Sequence, residues 1–302
     1  MVAVRRALLI VNPASRRGAA ALGAVARAFA RAGVACTVAR TERSGHAELL
    51  AREHAATHDA VFTLGGDGTV MEVLHALMTS DRPVGILPGG TGNLVARALG
   101  IPMSPRRAVA TLLGGRVKTI DLGQLEDGRV FAFAAGIGVD AQMVAMASAE
   151  SKRRYGVGAY VATGTRAALA LDTFTLHATV DGVSHTFEAT TVMVANFGAV
   201  LGGLIHLGPG IREDDGLLDL CVFSPANVRT ALRLGWRMLR HDFGTDPAMH
   251  FLRGRTVHLE TDPPRVSQAD GDLLPWPRLH VTVAPGAARL LVPDGALGGR
   301  LA

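Results

Sequence analysis

VFTLGGDGTV, residues 61–70, decides how the chain is read. Its first four residues suit a buried strand, the run breaks at Gly65, Gly66, Asp67, Gly68 and Thr69, and Val70, Val73, Leu74, Leu77 and Met78 then recur at helical spacing. A strand therefore turns sharply into a helix. Glycines at such a corner let the backbone enter conformations closed to other residues and let a ligand approach the main chain, while the first amides of the helix point outward unpaired. That is the outline of a phosphate cradle.

The construction recurs on either side. Residues 7–11 read as a strand that breaks at Asn12-Pro13, passes Ser15, Arg16, Arg17 and Gly18, and enters an Ala-rich helix over 19–31. Residues 84–87 end at Pro88-Gly89-Gly90-Thr91-Gly92-Asn93 before a helix over 94–99. A strand over 35–39 leads to Thr41, and another helix is expected over 105–113. Short strands separated by single helices predict a mostly parallel sheet covered on both faces. Three strand ends carrying Gly, Thr and Asn predict one shared crevice, where open α/β sheets bind ligands.

Past residue 121 the texture changes. Strands expected over 130–135, 174–180, 185–189, 191–195, 217–223, 256–260 and 279–283 are separated by Asp-Gly and Gly-Pro turn signals. They predict an antiparallel, sandwich-like β domain with helices over 147–171 and 228–241. The expected division is an α/β nucleotide-binding domain over 1–122, a β-rich domain over 123–286 and a C-terminal segment over 287–302.

At 302 residues and 48% hydrophobic content the chain can bury a substantial core, which excludes a disordered protein. Thirty-one Lys and Arg against 26 Asp and Glu leave a net charge of +5. That excess suits nucleotide phosphates or an anionic membrane surface, and equally a protein with neither partner; nothing points to nucleic acid. Two cysteines, Cys36 and Cys221, stand far apart without metal-like spacing, which places the chain in a reducing, cytoplasmic setting. The apolar run at 8–11 is too short for a signal peptide. The most apolar window, 130–147, is interrupted by Gly136, Gly138, Asp140 and Gln142, so no transmembrane segment is expected and any membrane contact is peripheral. There is no G-x-x-x-x-G-K-[ST] and no G-x-S-x-G around Ser15, so neither a Walker fold nor a hydrolase elbow is supported.

NPASRRG at Asn12, GGDGT at Gly65 and PGGTGNLVAR at Pro88, in that order, resemble the signature of the diacylglycerol kinase catalytic family. That family includes soluble bacterial lipid kinases and the related sphingosine and ceramide kinases. GGDGT alone is shared with NAD kinases and, loosely, with phosphofructokinases. The resemblance implies a nucleotide-binding α/β domain beside a β-rich lipid-binding domain, with the active site between them and residues 288–292 returning to the first domain. It further implies ATP and Mg2+ as cofactors and a lipid hydroxyl as acceptor at a membrane surface. Diacylglycerol, phosphatidylglycerol and sphingoid bases all fit that description. Relatives are often homodimers.

Phosphoryl transfer needs a cradle, charge compensation and a base. For the cradle the candidates are Gly65, Gly66, Gly68 and Thr69, with Asn12, Pro13, Ser15, Thr41, Gly90, Thr91 and Asn93 lining the same mouth; tight turns would leave the same glycine pattern. Arg16, Arg17 and Arg97 are candidates to neutralise phosphate charge. A carboxylate beside such a cradle is repelled unless a cation intervenes, and by resemblance Asp67 serves the Mg2+ of ATP, although a turn Asp also bonds its own backbone. Asp121, in TIDLG, resembles the acidic residue that closes the same network, or it caps a strand end.

In IREDDGLLDL the carboxylates of Glu213, Asp214, Asp215 and Asp219 crowd one turn, where they are either solvated or share a hard cation. The resemblance implies a structural Mg2+ held by Asp215 and the carbonyls of Arg212 and Leu217. For the base, relatives carry Asp-Gly-Glu where this chain has Asp270-Gly271-Asp272. One methylene fewer withdraws the carboxylate by about 1.5 Å, yet Asp272 remains the candidate base. Two other readings stay open: an NAD kinase, and a nucleotide-binding regulator whose transfer activity has decayed. Residues 198–207 read either as the lining of a lipid cleft or as a buried β-rich stretch.

Overall fold

The structure is a computed structural model that describes residues 4–138, 172–200 and 203–295. The chain forms two compact units, Met1–Ile120 with Gly286–Ala302, and Asp121–Pro285.

In the first unit, strands β1 (Arg6–Val11), β2 (Ala35–Arg40), β3 (Ala60–Gly65) and β4 (Val84–Pro88) lie side by side in the order β2-β1-β3-β4, all parallel. Every residue of β3 and β4 is buried, as is β1 after Arg6. Strands covered on both faces lose the polar-apolar alternation, which is why their sequences read as continuous apolar runs. Helix α1 (Gly18–Arg31) packs on this sheet through Phe29, whose ring meets Phe62 edge-on at 4.9 Å. Helices α2 (His46–His54), α3 (Asp67–Ala76), α4 (Leu94–Ala98) and α5 (Pro105–Leu113) complete the alternation. Because the chain runs outward from β1 to β2 and then resumes on the other side at β3, the order reverses between β1 and β3. Ligands of open α/β sheets bind outside the carboxyl ends at such a switch point.

Strand β5 (Arg116–Leu125) carries the chain from the first unit into the second. There, β6 (Val130–Phe131), β7 (Ala134–Gly138), β8 (Phe174–Val180), β9 (Val183–Ala189), β10 (Thr191–Ala195), β11 (Ala199–Val200), β12 (Ile205–His206), β13 (Leu218–Phe223), β14 (Met249–Gly254), β15 (Thr256–Asp262), β16 (Ser267–Ala269) and β17 (Asp272–Leu273) follow. Helix α6 (Val228–Leu239) interrupts them. One antiparallel sheet runs β14-β13-β10-β7-β16-β17. A second antiparallel set pairs β9 with β8, β8 with β15, and β15 with the first residues of β18 (Leu279–Val292). Inward residues of both, among them Ile137, Leu176, Val192, Leu220, Val257 and Val281, join one apolar core, which makes a sandwich.

Three local expectations change. The strand expected over 130–135 is split, because the amides of Ala132, Phe133 and Ala134 turn to the carboxylate of Asp270. The segments expected over 279–283 and 288–292 are one fourteen-residue strand, β18, whose far end sets Leu290 parallel to Val84 of β4. Within 198–207 there is no buried stretch but the two-residue pair β11 and β12, with Leu204 exposed; residues 201 and 202 lie outside the described residues. The helix expected over 147–171 also lies outside them. Among the described residues no helix is long and apolar enough to cross a membrane.

Candidate active site

At the carboxyl edge of the first unit the three motifs are bonded to one another. Asn12 follows β1: its amide donates to Leu64 O at 3.0 Å, its Oδ1 accepts from Ala14, and its Nδ2 donates to Thr69 Oγ1 at 3.3 Å. Ser15 Oγ donates to Asn12 O at 2.8 Å, while Pro13 and Arg16 are exposed on the same loop. Arg17 donates its amide to Gly89 O at 2.9 Å, so the first loop is tied to the third. Thr41, buried, donates its amide to Val11 O.

The Gly-Gly pairs pack backbone to backbone. Gly89 N donates to Gly65 O at 2.7 Å, and a Cβ on Gly90 would lie 2.5 Å from the Cα of Gly66. A Cβ on Gly65 would meet the Thr69 side chain at 2.6 Å, and one on Gly92 would meet Asp67 Oδ2 at 2.7 Å. These glycines are therefore required by the protein's own packing. Gly68 is different: it is exposed in the first turn of α3, its φ is not positive, and an added Cβ would meet no atom within 4 Å. Here the amide end of a helix stands open beside the switch point, the place where an anion gains both hydrogen bonds and the helix dipole.

Asp67 turns inward. Its two oxygens accept the amides of Asn93 and Leu94, each at 2.7 Å, and so cap α4. Asn93, at φ 50°, closes the loop by accepting from Gly90 N and donating to Gly90 O. Arg97 spends its Nε on Gly92 O at 2.9 Å, and Thr91 is half-buried in the loop between. One carboxylate escaped the sequence reading: Glu72, on α3, accepts the amides of Gly45 and Ala47 and fixes the start of α2. Nothing in its spacing announces that partner, which is 27 residues away.

In the second unit, Asp121, on β5, is 3% exposed and bonds to the turn that carries the acidic cluster. Its amide donates to Glu213 O at 2.7 Å, its Oδ2 accepts from Gly216 N at 2.6 Å, and its carbonyl accepts from the Asn196 amide group. Asp215 Oδ1 accepts from Leu217 N at 3.2 Å, Arg212 pairs with Asp214, and Arg253 Nε donates to Asp219 Oδ1 at 2.8 Å while its Nη1 lies 3.7 Å from Asp215. Burial of Asp219 outweighs Arg253 and pushes its carboxyl above the usual range. Among the described residues no group of three His, Cys, Asp or Glu side chains could hold a metal, and the Arg253 guanidinium supplies positive charge to this turn.

Asp272 opens β17, exposed, paired with Ala269 across a two-residue turn made by Asp270 (φ 45°) and Gly271 (φ 88°). Positive φ at both central positions is the type I′ hairpin that Asp-Gly favours. Asp270 accepts three amides, from Ala132 at 2.7 Å, Phe133 at 2.9 Å and Ala134 at 3.0 Å, and Gln268 Oε1 accepts the Gly271 amide at 2.8 Å. Asp270 is thus the staple and Asp272 the residue presented.

Residues 6–125 match the diacylglycerol kinase catalytic domain, and residues 134–292 match the YegS C-terminal NAD kinase beta sandwich-like domain. The chain belongs to the diacylglycerol kinase family. A probable lipid kinase, YegS-like, of Pseudomonas fluorescens is 33% identical over 98% of both chains. A diacylglycerol kinase of Bacillus subtilis is 30% identical over 89% of this chain and 90% of its own. An uncharacterised protein of Synechocystis sp. is 29% identical over 77% of this chain, which spans only 54% of that protein's length. Among solved structures, a putative diacylglycerol kinase from Bacillus anthracis superposes with a TM-score of 0.81 at 26% identity, covering 98% of each chain. Membership makes this chain a kinase of the lipid kinase group, and it fits the two-part architecture of α/β and antiparallel β units.

Proposed function

We propose that the chain transfers the γ-phosphate of ATP to the hydroxyl of a membrane lipid, with diacylglycerol the first acceptor to test. The observation that carries this reading is Gly68, a glycine that the protein's own packing does not require, at the amide end of α3 beside the sheet's switch point. The phosphates would lie against the amides of this first turn, with Thr69, Asn12 and Ser15 holding the loop's shape. Arg16 and Arg17 are both exposed on the first loop; Arg17 donates its Nη1 to Met103 O, so Arg16 is the one we assign to phosphate charge. Arg97 and Asn93 keep the third loop folded. The relatives' names, diacylglycerol kinase and lipid kinase, support a lipid acceptor.

Asp272 takes the proton of the lipid hydroxyl as that oxygen bonds to phosphorus and the bond to ADP breaks. Its exposure on a stapled type I′ turn supports the assignment, since a base must be both presented and held. Mg2+ supplies charge compensation to the phosphates when bound. Asp67, the carboxylate of the second motif in the first turn of α3, is the residue that would hold it. The turn carrying Asp215 and the carbonyls of Arg212 and Leu217 would admit a second ion only in competition with Arg253, so we derive no step from it.

Transfer of labelled γ-phosphate to a panel of diacylglycerol, phosphatidylglycerol, a sphingoid base and NAD tests the reading, with Asp272→Ala as control. We expect label in a lipid and none with the variant. Label in NAD alone would replace the assignment with an NAD kinase, and ATP binding without any labelled acceptor would replace it with a nucleotide-binding regulator.

A further inference from the structure

Helix α6, VRTALRLGWRML, is amphipathic in an unusual sense: its outward face is itself divided. At 100° per residue, Leu234 and Met238 with Thr230 and Ala231 share the face packed on the protein. Val228, Leu232, Trp236 and Leu239 fall within one outward sector of about 80°, and all four are exposed, Leu232 at 65% and Trp236 at 61%. The adjoining sector carries Arg229, Arg233, Arg237 and Arg240, and the helix has no acidic residue. Two of these arginines are anchored from outside the helix: Arg237 pairs with Asp242 and Asp246, and Arg233 with Asp246. Arg229 and Arg240 stay exposed beside the apolar stripe.

We propose that this face of α6 is the surface on which the kinase sits on an anionic lipid bilayer. An exposed apolar stripe with tryptophan, flanked by arginine, lies in the interfacial plane with its apolar side in the acyl boundary and its cations among anionic headgroups. A second copy of the chain packed antiparallel on this face would bring the two arginine flanks together, whereas an anionic surface meets them with opposite charge. The inference rests on the lipid-acceptor reading: a kinase whose acceptor hydroxyl lies at headgroup level must work at a surface.

The test is co-sedimentation with vesicles of phosphatidylcholine alone or with phosphatidylglycerol, for wild type, Leu232→Glu/Trp236→Glu and Arg229→Gln/Arg240→Gln. We expect the Glu pair to weaken binding to both compositions at least about tenfold. The Gln pair should weaken binding to phosphatidylglycerol vesicles about twenty-fivefold, at about fivefold per arginine, and binding to phosphatidylcholine hardly at all. Both variants should melt at the wild-type temperature and keep turnover on a short-chain, water-soluble diacylglycerol. As a second readout, Trp236 in a Trp276→Phe background should shift to the blue and be quenched by brominated lipid. Equal vesicle binding by all forms, or a wild-type dimer that the Glu pair splits, would overturn the proposal. Turnover on the soluble acceptor reports separately on the lipid-kinase reading, so the failure of one is distinguishable from the failure of the other.

Discussion

Consider Gly68→Ala beside Gly90→Ala. Both remove a glycine from a phosphate-type motif, yet the structure separates them. At Gly68 an added methyl meets no protein atom within 4 Å and the backbone is helical, so alanine gains up to about 1 kcal/mol of helix propensity. At Gly90 the methyl would lie 2.5 Å from the Cα of Gly66, a backbone atom that cannot rotate away, and overpacking of that kind costs about 1–3 kcal/mol. If phosphates lie on the first turn of α3, the Gly68 methyl occupies their approach. Loss of one charge-assisted hydrogen bond, about 1.5–3 kcal/mol, corresponds to a ten- to hundredfold rise in the Kd for ATP. The assay pairs calorimetric ATP titration with urea denaturation. Gly68→Ala should be as stable as wild type or more so while binding ATP poorly, whereas Gly90→Ala should lose stability first. A Gly68→Ala protein that binds ATP normally would refute the reasoning.

Asp270→Ala should lower stability by about 3–5 kcal/mol, since three amides at nearly inaccessible residues lose a charged acceptor together, whereas Asp270→Asn keeps one oxygen and the tolerated positive φ and should cost less than half of that; chemical denaturation checks both. Asp272→Ala should reduce kcat at least about a hundredfold with the ATP Kd unchanged, and Asp272→Glu should retain turnover. Burial pushes the Cys36 thiol from 9.0 up to about 11, so at pH 8 its alkylation in the native protein should run about a hundredfold slower than in denaturant. The corresponding stabilisation is full below pH 9.0 and lost as the pH rises toward 11, which a pH series of melting temperatures reads.

The parallel strands were legible because strands buried on both faces write themselves as apolar runs, and the three glycine corners because a strand that must turn into a helix has few residues to use. The β domain was legible from its turns. What the sequence hid is long-range: Asp270 looks like any hairpin aspartate, and only the fold brings it to amides 136–138 residues away. Arg253 is likewise an ordinary strand residue until β14 sets it opposite Asp219 of β13. The glycines were visible as a group, but which serve packing and which leave room depends on atoms from another loop. The reading of 198–207 as a buried β-rich stretch missed the exposure of Leu204, because a two-residue strand pair carries no periodicity.

The contact of Gly66 with Gly90 also constrains how this sequence can drift. The constraint is one-sided: a Cβ on Gly90 would lie 2.5 Å from the Gly66 Cα, whereas one on Gly66 would stand at an ordinary 3.5 Å from the Gly90 Cα, so position 90 is closed while position 66 has room for a small side chain. Paired randomisation of positions 66 and 90 should therefore return glycine at 90 among folded variants while admitting small residues at 66.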